Sequence, residues 1–149
     1  MPEATPEFKE QLREAFAELE VGRTFTYQRT FTEGDLSTFC GISGDYNPYH
    51  QDEQFARESW FGERTLPGLL TASMMTHIGG MLGFLATEMS FEYLAAVYPG
   101  DTVTCTVTIA DKNEEKRRMT GEAEFTNQEA ALVLRARFSG FPGQVRLAR

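Results

Sequence analysis

Between Arg64 and Glu88 the chain carries no acidic or basic side chain. Within that span Leu69, Leu70, Met74, Met75, Ile78, Met81, Leu82, Phe84 and Leu85 recur all the way round a helix rather than along one stripe. A helix without a polar face is stable in water only when every face is covered. Gly79, Gly80 and Gly83 lower its helix propensity, yet without Cβ atoms they let a second backbone approach closely. Leu69–Leu85 therefore predicts a long central helix wrapped by other elements. Pro67, Gly68, His77 and the three glycines interrupt the apolar run, so it does not predict a membrane span.

The expected wrapper follows directly. Thr102 to Ile109 alternates without a fault, with Val103, Cys105, Val107 and Ile109 on one face and threonines on the other. Arg118–Thr126 repeats the alternation through Met119, Ala123 and Phe125, and Leu132, Leu134, Ala136 and Phe138 do so again after an Asn127-Gln128-Glu129 turn. A period of two with one apolar face marks strands packed on a core. Ser90–Tyr98, closed by Pro99-Gly100, and Thr24–Phe31 add two more. Upstream, Phe8, Leu12, Ala15, Phe16 and Leu19 make one stripe of an amphipathic helix stopped by Gly22, and Thr32 with Asp35 three residues on opens a short second helix. Gln51–Ser59 is weakly helical. The fold class is α+β: a curved antiparallel sheet around a long apolar helix.

At 149 residues and 41% hydrophobic content the chain is one domain, residues 1–149, with residues 1–20 as an N-terminal helical extension. A net charge of −8 repels nucleic acid and anionic membranes, so neither is an expected partner. The basic run Lys116-Arg117-Arg118 reads either as a local phosphate patch or as a solvated hairpin tip. Cys40 and Cys105 form no paired metal-ligand spacing and no disulfide framework, so both are expected to be small buried apolar residues. The N-terminus has charged residues and no apolar h-region, and a cytoplasmic location is expected.

Reactive residues concentrate in Gly44-Asp45-Tyr46-Asn47-Pro48-Tyr49-His50-Gln51-Asp52. Asp45 and His50 lie five apart across an Asn-Pro turn, close enough for a carboxylate and an imidazole to converge on one water. Such a pair can hold the water and pass protons both ways. The spacing equally allows Asp45 to cap the turn and His50 to pack against the sheet.

The stretch Phe39 to Ala56, FCGISGDYNPYHQDEQFA, resembles the signature of the MaoC-like, or (R)-specific enoyl-CoA hydratase, family, matching it at Phe39, Ile42, Ser43, Gly44, Asp45, Asn47, Pro48, His50 and Ala56. A looser likeness runs from Thr24 to Phe138. The resemblance implies a hot-dog fold, the helix as sausage and the sheet as bun. It implies that Asp45 and His50 hold the water that adds across the double bond of a trans-2-enoyl thioester, returning a proton to the α-carbon on the same face. The (R)-3-hydroxyacyl product, or the reverse dehydration, follows. Asn47 would orient the loop, and a backbone N–H at Gly68 would polarise the thioester carbonyl. No metal or other cofactor is implied, the thioester being carried by coenzyme A or an acyl carrier protein. A homodimer or higher homo-oligomer is implied, with the pocket between subunits.

Two positions depart from the pattern. Tyr49 replaces the usual aliphatic residue before the histidine and is expected to narrow the substrate pocket. Pro67-Gly68 replaces the usual His-Gly at the start of the central helix. Thr76 lies about where the family has a pocket serine and is expected to shape the acyl tunnel, whereas His77 is expected to be a hydrogen-bonded interior histidine. Ser73 has no G-x-S-x-G elbow around it, which argues against serine hydrolase chemistry. The alternatives to a hydratase are a hot-dog acyl-CoA thioesterase, for which the central helix lacks an acidic residue, and a non-catalytic acyl-thioester-binding protein.

Overall fold

The faultless alternation after Thr102 becomes the longest strand of a five-stranded sheet with order β1-β3-β4-β5-β2. The computed structural model describes residues 2–143. In chain order the elements are α1 (Pro6–Glu18), β1 (Thr24–Thr30), α2 (Glu33–Ser43), α3 (Pro48–Gln51), α4 (Glu53–Glu58), α5 (Gly68–Ala72), α6 (Met74–Met81), β2 (Leu85–Tyr93), β3 (Thr102–Asn113), β4 (Arg118–Thr126) and β5 (Leu132–Phe141). Every neighbouring pair of strands is antiparallel. The register sets Cys105 beside Phe125, and Phe125 beside Leu134, so the apolar residues of three strands share one face. That face and Leu70, Met74, Met75, Ile78 and Leu82 form a single buried cluster. This is the expected hot-dog architecture.

The sausage itself differs from expectation. Instead of one helix over Leu69–Leu85, two short helices meet at Ser73. Ser73 Oγ donates to the carbonyl of Leu70 at 2.6 Å, the kind of back-bonding by a helical serine that bends a helix. The second helix ends early because Gly83 turns left-handed (φ +57°) and Phe84 N–H donates to Gly79 O at 2.8 Å. Nor is every face buried: Leu69 on α5 remains 59% exposed, and Thr76 and His77 on α6 are exposed as well. His77 is therefore not an interior residue; its ring stacks on Tyr27, centroids 3.9 Å apart and planes within 12°.

The strand expected at Ser90–Tyr98 begins at Leu85 and ends at Tyr93. A register shift between Ala86 and Glu88 breaks the alternation that would have marked its start. Beyond Tyr93 the chain leaves the sheet, with the N–H groups of both Leu94 and Ala95 donating to Val133 O. β2 is an edge strand, exposed along almost its whole length.

Outside the sheet, α1 buries Ala15 and Phe16 and is tied down by Lys112, whose Nζ donates to Phe16 O at 2.6 Å and lies 4.3 Å from the Phe16 ring centroid. The Lys116–Arg118 run occupies the β3–β4 turn and the first residue of β4, a hairpin tip, and Arg118 donates to Ser139 Oγ. Cys40 and Cys105 are free and buried. Among the described residues no helix is long and apolar enough to cross a membrane.

Candidate active site

The site is built by α2 and the turn that follows it. Thr32 and Asp35 form a reciprocal capping box, which fixes where α2 starts. Arg29 on β1 pairs with Asp35, and Arg64 pairs with Glu33 at 2.8 Å, so the first turn is held from two sides. The helix ends at Gly44, left-handed at φ +73° with its N–H on Cys40 O, a conformation that glycine adopts without the Cβ penalty. Asp45 follows at once, delivered to the helix end.

Asn47 turns its side chain onto the backbone. Its Oδ1 accepts from Tyr49 N–H at 3.2 Å and caps α3, with Pro48 in the first turn. The N–H of Asn47 donates to Asp45 Oδ1 at 3.3 Å. One oxygen of Asp45 is thus held by the turn, and the other, Oδ2, faces His50 Nε2 at 3.6 Å.

The second nitrogen of His50 decides its tautomer. Nδ1 lies 2.7 Å from the carbonyl oxygen of Thr65. A carbonyl only accepts, so Nδ1 carries a proton and donates, which leaves Nε2 as the nitrogen that faces Asp45. The backbone N–H of Thr65 in turn donates to Tyr49 O at 3.0 Å, which ties the histidine's helix to the segment leading into α5. His50 is 12% exposed and Asp45 42%, so the imidazole is walled in while the carboxylate opens to a cleft.

That cleft, of about 490 Å³, is lined by Asp45, Phe61, Thr65, Gly68, Leu69 and Tyr93 among others. α5 starts at Gly68 with no side-chain cap, leaving first-turn N–H groups without an intrahelical partner. Burial pushes the Tyr93 phenol up from its ordinary pKa, so its hydroxyl stays protonated across the physiological range.

Asp45, His50 and Gly68, singled out in the sequence, are brought together. Three other residues lie elsewhere. Asn47 caps backbone rather than lining the cleft. Tyr49 does not line it either: its ring packs edge-on against Phe55 at 4.9 Å and Phe61 at 5.5 Å, and of these three rings Phe61 is the one that reaches the cleft. Thr76 lies on α6 in separate hollows, its Oγ1 donating to Ser73 O at 2.6 Å. Sequence reasoning missed Thr65, Phe61 and Tyr93. Thr65 acts through a carbonyl that every residue possesses; the aromatic run Trp60-Phe61 was the available signal for the second.

A curved antiparallel sheet around a split apolar helix defines a hot-dog domain, and a carboxylate and an imidazole converge beside the helix start as its candidate site. Residues 16–131 match the MaoC like domain, and the chain belongs to the MaoC-like dehydratase family. It is 32% identical over 109 residues to the (R)-specific enoyl-CoA hydratase of Rhodospirillum rubrum, covering 70% of this chain and 76% of that protein. It is 34% identical over 107 residues to the 3-hydroxybutyryl-CoA dehydratase of Methylorubrum extorquens, covering 69% of this chain and 68% of that one. Among solved structures, unliganded R-hydratase PhaJ1 from Pseudomonas aeruginosa superimposes with a TM-score of 0.80 at 26% identity, covering 90% of this chain and 91% of that one.

Proposed function

We propose that the protein is a hydro-lyase that adds water to trans-2-enoyl thioesters to give (R)-3-hydroxyacyl thioesters, or runs the reverse dehydration. The observation that carries this reading is the convergence of His50 Nε2 and Asp45 Oδ2. With Nδ1–H spent on Thr65 O, Nε2 and Asp45 Oδ2 face each other at 3.6 Å, too far to bond directly and suited to holding one water between them.

In the forward direction the pair takes a proton from that water as its oxygen bonds to C3. The C2=C3 electrons move towards the thioester carbonyl, and the N–H of Gly68 stabilises the negative charge that develops on its oxygen. A proton then passes from the pair to C2 on the same face, so one water is added in sum. These steps call on no metal and no organic cofactor. The thioester is carried by coenzyme A, as the names of the relatives suggest, or by an acyl carrier protein.

A homodimer is part of the proposal. Among the described residues no strand pairs with the outer side of edge strand β2, and Leu69, Leu85, Met89, Tyr93, Leu94 and Phe141 expose apolar side chains around it. A second copy adding its own edge would cover both liabilities.

The test is to follow the loss of enoyl-thioester absorbance on crotonyl-CoA, with chiral analysis of the product. Turnover to the (R)-3-hydroxy thioester is expected; release of free thiol without hydration would replace the proposal with thioester hydrolysis.

A further inference from the structure

Tyr93 is the last residue of the edge strand β2, and its ring closes on the start of α5. A Cβ built on Gly68 would fall 2.8 Å from Cδ1 and 2.9 Å from Cζ of Tyr93, and nearer still to Cε1. The ring therefore fills the room that any side chain at position 68 would take. Phe91 stacks beside it, centroids 6.3 Å apart. The backbone immediately beyond is anchored through Leu94 and Ala95 on Val133 O, which limits how far the ring can withdraw. Tyr93, Gly68 and Asp45 all line the same cleft.

We propose that Tyr93 is a specificity-determining residue, whose ring sets the width of the cleft beside Gly68 and excludes enoyl thioesters that carry a substituent on C2. The inference rests on the hydratase reading above, in which the thioester oxygen meets Gly68 N–H and C3 meets the water held by Asp45 and His50. Conjugation keeps O=C1–C2=C3 flat between those two points. A substituent on C2 lies in that plane beside the carbonyl carbon, at the end of the cleft that the Tyr93 ring occupies. A hydrogen fits there and a methyl group does not.

The experiment compares kcat/KM for crotonyl-CoA and 2-methylcrotonyl-CoA in the intact protein and in Tyr93→Phe, Tyr93→Leu and Tyr93→Ala. Wild type is expected to prefer crotonyl-CoA about a hundredfold, at the strong end of what one methyl group decides. Tyr93→Phe keeps the preference because the ring, not the hydroxyl, forms the wall. Tyr93→Ala lowers it about tenfold or more through faster turnover of the methylated substrate, and Tyr93→Leu lowers it less. Because each preference is a ratio within one variant, a partly unfolded preparation does not alter it. Equal use of both substrates by wild type, or an unchanged preference in Tyr93→Ala and Tyr93→Leu, overturns the role of Tyr93. Absence of any hydration of crotonyl-CoA by wild type overturns the hydratase reading and this inference with it, a result distinct from the other two.

Discussion

His50 Nε2 stands 3.6 Å from Asp45 Oδ2, and the two residues arrive there by different routes: Asp45 at the end of α2, His50 in the first turn of α3. The left-handed Gly44 and the Asn47 cap convert five residues of sequence into a facing pair. Carboxylate and imidazole therefore depend on one short turn for their alignment.

In the proposed hydration, replacing either member removes the acid–base step. Asp45→Ala and His50→Ala are each expected to lower kcat for crotonyl-CoA hydration by about 10²–10⁴-fold, with far-UV circular dichroism unchanged. His50→Ala that unfolds while Asp45→Ala stays fully active would assign the pair to packing.

The exposed apolar edge gives a second prediction. Static light scattering should show a particle of about twice 16.8 kDa. Placing like charges on β2 with Leu85→Glu and Met89→Glu is expected to raise the dimer dissociation constant at least about tenfold, since charge buried without a partner is costly at an interface. A monomeric wild type would contradict it.

Asp35 links pH to stability. The backbone N–H of Thr32 that its carboxylate accepts, with Arg29 adding to it, holds Asp35 below the ordinary aspartate range. A folded-state value lower than the unfolded one contributes stability above the unfolded value of about 3.9, and that contribution fades as pH falls through it towards the depressed folded value. Asp35→Asn should cost about 1 kcal/mol at neutral pH, in line with loss of a helix cap, and should flatten the fall of Tm between about pH 5 and pH 3. Parallel Tm profiles for the two proteins would show that Asp35 is not the linked group.

Burial makes both thiols inert in the native state. The Cys105 thiol is pushed up to about 12 by burial, and burial is also the main cause that raises Cys40. Ellman's reagent at pH 8 should therefore find no reactive thiol in folded protein and two per chain in denaturant, because only the thiolate attacks. Rapid reaction of either cysteine in the native protein would show that the core opens around it.

At Gly140 the backbone itself limits what fits. A Cβ there would fall 2.9 Å from Ala86 Cα and closer to Leu85 O, both backbone atoms of the paired strand. Gly140→Ala should cost about 3 kcal/mol by overpacking, read as a shift in the urea midpoint. Gly68→Ala should cost less stability, because its Cβ would press on the Tyr93 side chain rather than on backbone.

The sheet was legible wherever alternation met one buried face. Thr102–Ile109 set threonines against Val103, Cys105, Val107 and Ile109, and those apolar residues are all buried. β2 was displaced because the irregularity between Ala86 and Glu88 hides its period, and among the described residues no strand pairs with its outer edge. The central helix was legible as apolar and interior, but its break was not: Ser73 bends the chain through a side-chain bond to Leu70 O, which hydrophobic spacing does not report. The exposed face along Leu69 and Thr76 also ran against a rule that assumes one chain supplies all the cover.

At the candidate site, the turn chemistry around Asp45 and His50 could be read from residue types at fixed spacing. Thr65 could not, because its contribution is a carbonyl oxygen. Tyr93 could not either, since its contact with Gly68 joins residues far apart in the sequence. Tyr49 misled for a related reason: adjacency to His50 in the chain does not decide which way a ring points, and Phe55 and Phe61 offer it a better-packed position.

The carbonyl that aligns the imidazole belongs to Thr65, and the N–H proposed to meet the thioester belongs to Gly68, with only the buried Leu66 and Pro67 between them. Proline fixes one of the few soft torsions in that span. The distance from the Thr65 carbonyl to the Gly68 N–H is thus gauged largely by covalent bonds, like two marks on one ruler. If the cleft widens to admit a longer acyl group, both marks travel together, so a population of enzymes with altered pockets can share one unaltered reaction geometry.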